Sequence, residues 1–329
     1  MISVPNMDNK IWNFEYKVVD MLKEYSDTGK IVVDLDTEGP DLNEIGLLPL
    51  LDYMVDVYDI DPKKITIMTS NQIETNQKYT IDLHAPHLME PCNNFISNNV
   101  FPKKTFDANF KTFGLFIGRL NKYRLELLAE LHTKHKSKSL YTCHYDRIKE
   151  YHRPHCGITD LINDGREWNT IIECVQTLSE CPFISDIVES FPILTPAHMN
   201  ISKVYHNFFI DIVAESYSTG VAFLPSEKIW RPLLLNTPFI VQGPHNYIKN
   251  LQKLGFQSFD KWWNEGYSED PAEYQVLEIK KIICEISDWS DRKVQRVYND
   301  MKPILDNNFE CMRNLTDKKF QQVFGYNNE

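Results

Sequence analysis

The sequence predicts an α/β protein with two parallel sheets that are covered by helices on both faces. Short apolar runs alternate along the chain with longer segments of helical periodicity, which is the pattern of strands joined by crossover helices. A polar, Asn- and Pro-rich stretch over residues 86–107 interrupts this alternation once. With 329 residues, the chain is long enough for two domains that each have their own core.

The first alternating series is short. We predict a strand at residues 30–34, a helix at 47–58 and a second strand at 64–70. Residues 59–62 contain Asp and Pro and form a turn of the length that usually connects a helix to the next strand. This series defines an N-terminal domain, to which we assign residues 1–108.

The second series is longer and defines a C-terminal domain at residues 109–305. The apolar runs predict strands at 112–117, 139–143, 208–213 and 238–241, and a further apolar segment lies at 183–191. The periodic segments predict helices at 124–132, 246–254, 273–286 and 291–305, and another helix that begins at 227. Gly255 suits a left-handed cap at the end of the 246–254 helix. Residues 306–329 form a C-terminal tail that can pack back on the N-terminal domain. The two series together predict two Rossmann-like halves.

Composition limits the class of protein. A hydrophobic content of 42% and a charged content of 25% are typical of soluble globular proteins. No apolar run reaches the roughly 18 residues of a membrane span, and the N-terminus lacks the basic and apolar regions of a signal peptide. Seven scattered cysteines indicate reduced thiols rather than a disulfide framework. We therefore expect a cytoplasmic protein without a membrane span.

One segment offers a ligand site. Ser226 is a good N-cap, which places Glu227 and Lys228 in the first turn of a helix whose dipole and free N–H groups favour an anion. Lys228 suits a diphosphate, whereas the carboxylate of Glu227 suits ribose hydroxyls. Glu215 and Ser216 follow the strand at 208–213 and can face the same crevice. The alternative is that Glu227 only complements the helix dipole while Lys228 points to solvent.

Three cations follow the strand at 112–117. Arg119, Lys122 and Arg124 lie at the start of the next helix, where one of them can be a second phosphate ligand, although surface cations are common at such positions. Pro232 falls inside the helix that begins near Glu227. It removes a backbone hydrogen bond there and is expected to bend the helix beside the proposed phosphate site.

These segments carry a family resemblance. The runs Phe209-Ile-Asp-Ile-Val-Ala-Glu-Ser-Tyr, Leu224-Pro-Ser-Glu-Lys-Ile-Trp-Arg-Pro-Leu, Pro238-Phe-Ile-Val-Gln-Gly-Pro and Tyr247-Ile-Lys-Asn-Leu-Gln-Lys-Leu-Gly-Phe resemble the donor-binding half of fucosyltransferase-like GT-B glycosyltransferases. The pattern is most similar to an uncharacterised group of these proteins from large phages and aquatic bacteria. The resemblance covers about residues 111–315. Leu224-Pro225 replaces an aromatic or β-branched pair that is frequent in this group.

The resemblance implies a fold, an activity and roles for residues. It implies two Rossmann-like domains that face a central cleft, and transfer of a sugar from a UDP- or GDP-sugar to an acceptor hydroxyl, without a metal or another cofactor. Glu227 would hold the ribose, Lys228 and Arg119 would hold phosphate, and Glu215 would line the donor pocket. A glycan is the expected acceptor. Hydroxymethylated DNA bases are a second possibility, and a non-catalytic nucleotide-sugar or glycan-binding module is a third.

An inverting transferase also needs a carboxylate base from the N-terminal domain. Asp36 and Glu38 follow the strand at 30–34, and we favour Glu38, with a polar loop that merely ends the strand as the alternative. Asp34 and Asp36 also form an Asp-x-Asp pair of the kind that holds a divalent metal, but the pair occurs too early in the chain for a metal-dependent transferase. The Cys and His residues at 143–156 lack the spacing of a zinc site, so we predict no metal.

Overall fold

The computed structural model of the protein describes residues 2–3, 17–35, 39–72, 77–83, 104, 106, 109–118, 120–143, 157–183 and 201–324. The chain forms two compact units. The first unit comprises Met1–His87, Thr219–Leu224 and Leu315–Glu329, and the second comprises Leu88–Ser218 and Pro225–Asn314. Their borders differ from the predicted ranges of 1–108, 109–305 and 306–329: the first border falls at residue 87, the last at 314, and residues 219–224 belong to the first unit.

The first unit contains a parallel sheet of four strands in the order β1-β2-β3-β4. Its main elements are β1 (Ile2–Ser3), α1 (Val18–Thr28), β2 (Ile31–Asp34), α2 (Leu47–Tyr58), β3 (Ile65–Thr69) and β4 (Thr80–Leu83). The predictions for β2, α2 and β3 are confirmed. Ile31 and Val33 of β2 pack in one buried cluster with Leu51 and Met54 of α2, so this apolar helix face covers the sheet.

The second unit contains a parallel sheet in the order β6-β5-β7-β8. The strands are β5 (Lys111–Ile117), β6 (Ser139–Cys143), β7 (Phe208–Ala214) and β8 (Phe239–Gln242), and the helices are α3 (Lys122–Lys134), α4 (Ile158–Asn163), α5 (Trp168–Glu180), α6 (Glu227–Leu234), α7 (Tyr247–Lys253), α8 (Ala272–Ser287) and α9 (Asp291–Arg313). A last helix, α10 (Asp317–Phe324), belongs to the first unit. The α/β class and both parallel sheets are therefore confirmed.

The order of the second sheet creates a switch point. The chain leaves β5 toward β6 on one side and leaves β7 toward β8 on the other, while β5 and β7 are hydrogen-bonded neighbours. Connections that diverge in this way open a crevice at the carboxyl ends of the two strands, where parallel α/β domains bind ligands. Every residue of β7 is buried, as expected for the interior of a parallel sheet.

The structure tests the predicted carboxyl ends of two helices, α7 and α9. Gly255 has φ 101° and lies just beyond α7, and its N–H and that of Phe256 donate to the carbonyls of Gln252 and Leu251, respectively. This is a Schellman cap, so the predicted left-handed glycine is confirmed. The helix predicted to end at 305 instead continues to Arg313. Its buried positions continue at helical spacing through Met301, Leu305, Asn308 and Met312, and this continued spacing carries the helix beyond residue 305.

The apolar segment predicted at residues 183–191 is described only at Phe183. Phe183 forms a single antiparallel bridge with Cys143, and residues 184–191 of the predicted segment lie outside the described residues.

None of the helices in the described part of the chain combines the length and apolar character that a bilayer crossing requires.

Candidate functional site

Arg124, in the first turn of α3, forms hydrogen bonds to the backbone at the carboxyl end of β7, beside the switch point. Its Nη2 donates to the carbonyl oxygens of Ala214 at 2.9 Å and Glu215 at 2.8 Å, and the residue is only 4% exposed. This guanidinium ties the start of α3 to the end of β7. Lys122 forms an ion pair of 2.5 Å with Asp164. Of the three cations considered as phosphate ligands, these two therefore have structural partners, while Arg119 lies outside the described residues.

Glu215 is the central acceptor of the site. Its Oε2 accepts a hydrogen bond from the Ser226 hydroxyl at 2.6 Å, and its Oε1 accepts from the Ser226 N–H at 3.3 Å and the Tyr247 hydroxyl at 2.7 Å. Burial, together with the neighbouring Glu215 carboxylate, raises the pKa of Tyr247 well above its usual value. Because Glu215 is only 1% exposed, it acts by positioning the starts of α6 and α7 against the end of β7.

The ammonium group of Lys228 lies at the centre of the predicted site. Its Nζ donates to Ser216 Oγ at 3.1 Å, Ser226 Oγ at 3.2 Å and Glu227 Oε1 at 2.9 Å. An ammonium group has three N–H donors, and three acceptors surround this one. The structure thus brings together five of the predicted residues, Glu215, Ser216, Ser226, Glu227 and Lys228, which we call the Lys228 cluster.

The alternative of a solvent-pointing lysine does not describe this arrangement. The Lys228 side chain is only 17% exposed and the Glu227 side chain 12%. Both charged groups are therefore largely desolvated and face each other, which strengthens their attraction relative to an ion pair at the surface. The ion pair is therefore a partly buried feature of the first turn of α6.

The start of α6 differs from the expectation of free N–H groups. The Ser226 hydroxyl caps the helix by accepting from the Lys228 N–H at 3.3 Å, and the Ser226 carbonyl accepts from the N–H groups of Ile229 and Trp230 at 3.2 Å each. The turn satisfies these three donors itself. Attraction of an anion here therefore comes from the Lys228 ammonium and the helix dipole rather than from open backbone donors. Pro232 lies inside α6, as predicted.

A buried polar row underlies the cluster. Asp211 lies in β7 and Glu215 directly follows it, with its N–H still paired to the Gln242 carbonyl, so the two side chains point to the same face of the sheet. The Tyr205 hydroxyl donates to Asp211 Oδ2 at 2.5 Å, and burial raises the pKa of Asp211 to about 6 although the positive charge of Arg231 opposes this. Burial also lowers the pKa of Lys104, whose Nζ donates to the Tyr205 carbonyl at 2.6 Å, to about 7. The one sequence signal for this row is an aspartate within an otherwise apolar strand.

Gln242, at the carboxyl end of β8, was not recognised from the sequence. The residue is fully buried, and neither polar atom of its amide has a hydrogen-bond partner within the part of the chain that the structure describes. Gln242 is in register with Ala214, so it lies on the face of the sheet opposite to Glu215. Buried amides in native proteins are rarely left unpaired, so this amide is unusual for a group at the carboxyl edge of the second sheet.

Several predicted residues lie outside the described residues. These are the candidate bases Asp36 and Glu38, the phosphate ligand Arg119, and the histidines and cysteine at 144, 152, 155 and 156. Their proposed roles stay predictions. Cys143 is described, and its thiol lies buried in the last position of β6.

No protein-family model, no curated protein and no solved structure matches the chain.

Proposed function

We propose that the protein is a metal-independent glycosyltransferase of the GT-B type that takes its sugar from a UDP- or GDP-sugar. The Lys228 cluster carries this proposal. It pairs a cation suited to a diphosphate with a carboxylate suited to the hydroxyls of a ribose. It also follows the carboxyl end of β7, beside the β5–β7 switch point, where parallel α/β domains bind ligands.

Binding of a diphosphate requires an exchange at Lys228, because its three donors already have acceptors. Ser226 is held by Glu215, and Glu227 is needed to balance the charge. Ser216, a neutral hydroxyl on the loop after β7, is the acceptor that gives way. Replacement of a neutral hydroxyl by an anionic phosphate oxygen strengthens the contact, since attraction between opposite charges is added to the hydrogen bond.

The reaction breaks the bond between the sugar C1 and the diphosphate oxygen and forms a bond between C1 and the acceptor oxygen. Negative charge develops on the departing diphosphate, where Lys228 stabilises it, with Arg119 as the predicted second cation. The proton of the acceptor hydroxyl passes to a carboxylate, for which Glu38 is the first candidate and Asp36 the second. We propose a glycan acceptor, because a net charge of −11 disfavours DNA.

The test is nucleotide binding, followed by turnover. Thermal unfolding and calorimetric titration with UDP, GDP and their sugar conjugates, each with EDTA present, should show that one nucleotide raises the unfolding temperature. The Lys228→Ala variant should bind that nucleotide at least about tenfold more weakly. Lys249→Ala, which removes a lysine paired with Glu269 on the surface of α7, is the matched control and should bind normally.

Two outcomes would count against the proposal. If no nucleotide binds, or if Lys228→Ala binds as tightly as the natural protein, the Lys228 cluster is not a diphosphate site. Turnover is measured as release of the nucleoside diphosphate, because many transferases slowly transfer sugar to water. Binding without release, with water and with a panel of glycans, would indicate the non-catalytic module instead.

A further inference from the structure

A second group of reactive side chains lies in the second unit, apart from the Lys228 cluster. Glu130 is in α3, His135 is the residue that caps the carboxyl end of α3, and Cys284 is in the last turn of α8. The ligand atoms of all three lie within 4.8 Å of one another. One carboxylate, one imidazole and one thiol at this spacing are a mixed set of metal-ligating groups.

The distances match those around a tetrahedral metal ion. His135 Nε2 lies 3.5 Å from Glu130 Oε1, and Cys284 Sγ lies 3.7 Å from Glu130 Oε1 and 3.8 Å from His135 Nε2. Zinc bonds of about 2.0–2.3 Å at tetrahedral angles separate their ligand atoms by about 3.3–3.6 Å. The three atoms therefore need to move by only a few tenths of an ångström to hold such an ion.

The two oxygens of the Glu130 carboxylate have different neighbours. Its Oε2 contacts the ammonium groups of Lys134 at 3.0 Å and Lys280 at 3.6 Å, whereas its Oε1 faces His135 and Cys284. Lys134 is shared with Glu173 at 3.2 Å. A ligating carboxylate is commonly fixed in this way by hydrogen bonds to its second oxygen. Glu130 is only 2% exposed, so Oε1 is presented at a fixed position.

The surrounding backbone also favours a cation. The cluster lies at the carboxyl ends of α3 and α8, where the helix dipoles place partial negative charge. The Lys138 ammonium donates to the carbonyl of Ser287, which fastens the end of α8 to the segment that leads into β6. Since α3 runs from the carboxyl end of β5 to the amino end of β6, this location is at the opposite edge of the sheet from the Lys228 cluster.

We propose that Glu130, His135 and Cys284 bind a zinc-class divalent cation that links α3 to α8. The ligands are Glu130 Oε1, His135 Nε2 and Cys284 Sγ, and water completes the coordination, because Cys284 is exposed. On binding, the Cys284 thiol releases its proton to solvent and the thiolate forms the sulfur–metal bond. The thiolate and imidazole select Zn²⁺ or Co²⁺ over Mg²⁺ and Ca²⁺, which prefer oxygen ligands.

Co²⁺ is the first probe, because a thiolate ligand gives it a charge-transfer absorption band in the near ultraviolet. The full-length protein, stripped of metal and kept reduced, should take up one equivalent of Co²⁺ with this band, and Zn²⁺ should displace it. Cys284→Ser and His135→Gln should each weaken Zn²⁺ binding by more than about tenfold. Cys311→Ser removes another thiol of the second unit that is not fully buried, one that donates to the Leu254 carbonyl instead, and should leave binding unchanged.

A second readout is stability, measured as the unfolding temperature with Zn²⁺ and with Mg²⁺. Zn²⁺ alone should raise it, and the rise should vanish in Cys284→Ser, whose unfolding temperature without metal should equal that of the natural protein because the side chain is exposed. The proposal is overturned if the natural protein gives no thiolate band with Co²⁺, or if Cys284→Ser retains the whole band. The result is independent of nucleotide binding.

Discussion

The two serines that contact Lys228 have different roles at the scale of single residues. Ser226 caps α6 and is held by Glu215, whereas Ser216 contacts the Lys228 ammonium from the loop after β7. Ser226→Ala removes the cap and should lower the free energy of unfolding by about 1 kcal/mol. It should also weaken nucleotide binding, because it loosens the start of α6. Denaturant unfolding and calorimetric titration measure both effects.

Ser216→Ala is the matched variant for this prediction. If Ser216 gives way to the diphosphate, its loss should leave nucleotide affinity equal to that of the natural protein or higher, since no contact has to be broken first. A loss of affinity as large as that of Ser226→Ala would show that Ser216 contacts the bound nucleotide directly.

A buried carboxyl group makes the stability of the protein depend on pH. Glu265 is 7% exposed, and its Oε2 accepts from the Phe259 N–H at 3.0 Å. Burial raises the pKa of Glu265 to about 7 from an ordinary value of 4.5, although the bond from Phe259 opposes the rise. The native state thus keeps this proton where the unfolded chain loses it, so its stabilising contribution is complete below the unfolded pKa and is lost as pH rises through the folded pKa.

The Glu265→Gln variant should lack this pH dependence. Relative to the variant, the natural protein should lose up to about 3 kcal/mol of unfolding free energy between about pH 4.5 and pH 7. Denaturant unfolding at several pH values within and around this window measures the difference. Glu278→Gln, at a partly exposed position of α8 beside Lys281, controls for the loss of a surface carboxylate. Equal slopes for the natural protein and Glu265→Gln would contradict the prediction.

At the scale of elements, β7 and β8 of the second sheet were predictable because they are nearly continuous apolar runs. The elements that were missed lack such signals. β4 alternates exposed and half-buried residues over four positions, and α1 begins without a side-chain cap. The strand order β6-β5-β7-β8 could not be predicted from the sequence either, because it depends on which strands pair with each other in the folded chain.

The candidate site also contains residues that the sequence predicted and contacts that it could not predict. Ser226, Glu227 and Lys228 could be predicted because they are contiguous and follow the rules of helix capping. The bonds from Arg124 and Tyr247 to the end of β7 could not, because packing brings these residues together from distant parts of the sequence. His135 and Cys284 are separated by 149 positions, so no local spacing motif for zinc could reveal the second cluster.

The end of α7 provides a test of helix capping. Gly255 at φ 101° closes the Schellman turn, and a side chain is strained in this conformation. Gly255→Ala should therefore lower the free energy of unfolding by about 1 kcal/mol. Gly266→Ala is the matched control, since a Cβ there would meet only the end of the Asn264 side chain. Equal stabilities of the two variants in denaturant unfolding would show that the cap does not require glycine.

At the scale of the whole molecule, the path of the chain connects the site to the first unit. Residues 219–224 belong to that unit, although they join β7 to α6 and so lie between Ser216 and Ser226 in the sequence. Asn71 Oδ1 accepts from the Phe223 N–H at 2.9 Å, and its Nδ2 donates to the Val221 carbonyl at 3.3 Å. Asp41 Oδ2 accepts from the Val221 N–H at 2.7 Å. These bonds hold residues 219–224, which lie between Ser216 and Ser226 in the sequence, within the first unit.

Asn71→Ala tests whether this attachment matters for function. The change leaves the buried Phe223 N–H without its acceptor, which should lower the unfolding free energy of the first unit by about 1–3 kcal/mol. Protease cleavage, mapped by mass spectrometry, should accelerate within residues 219–224, and nucleotide affinity should fall because the loop between Ser216 and Ser226 is no longer held. Asn43→Ala, an exposed asparagine of the same unit, is the control. Faster cleavage with unchanged nucleotide affinity would mean that the Lys228 cluster keeps its geometry when residues 219–224 are released, because the bonds from Glu215 and Arg124 alone suffice to hold it.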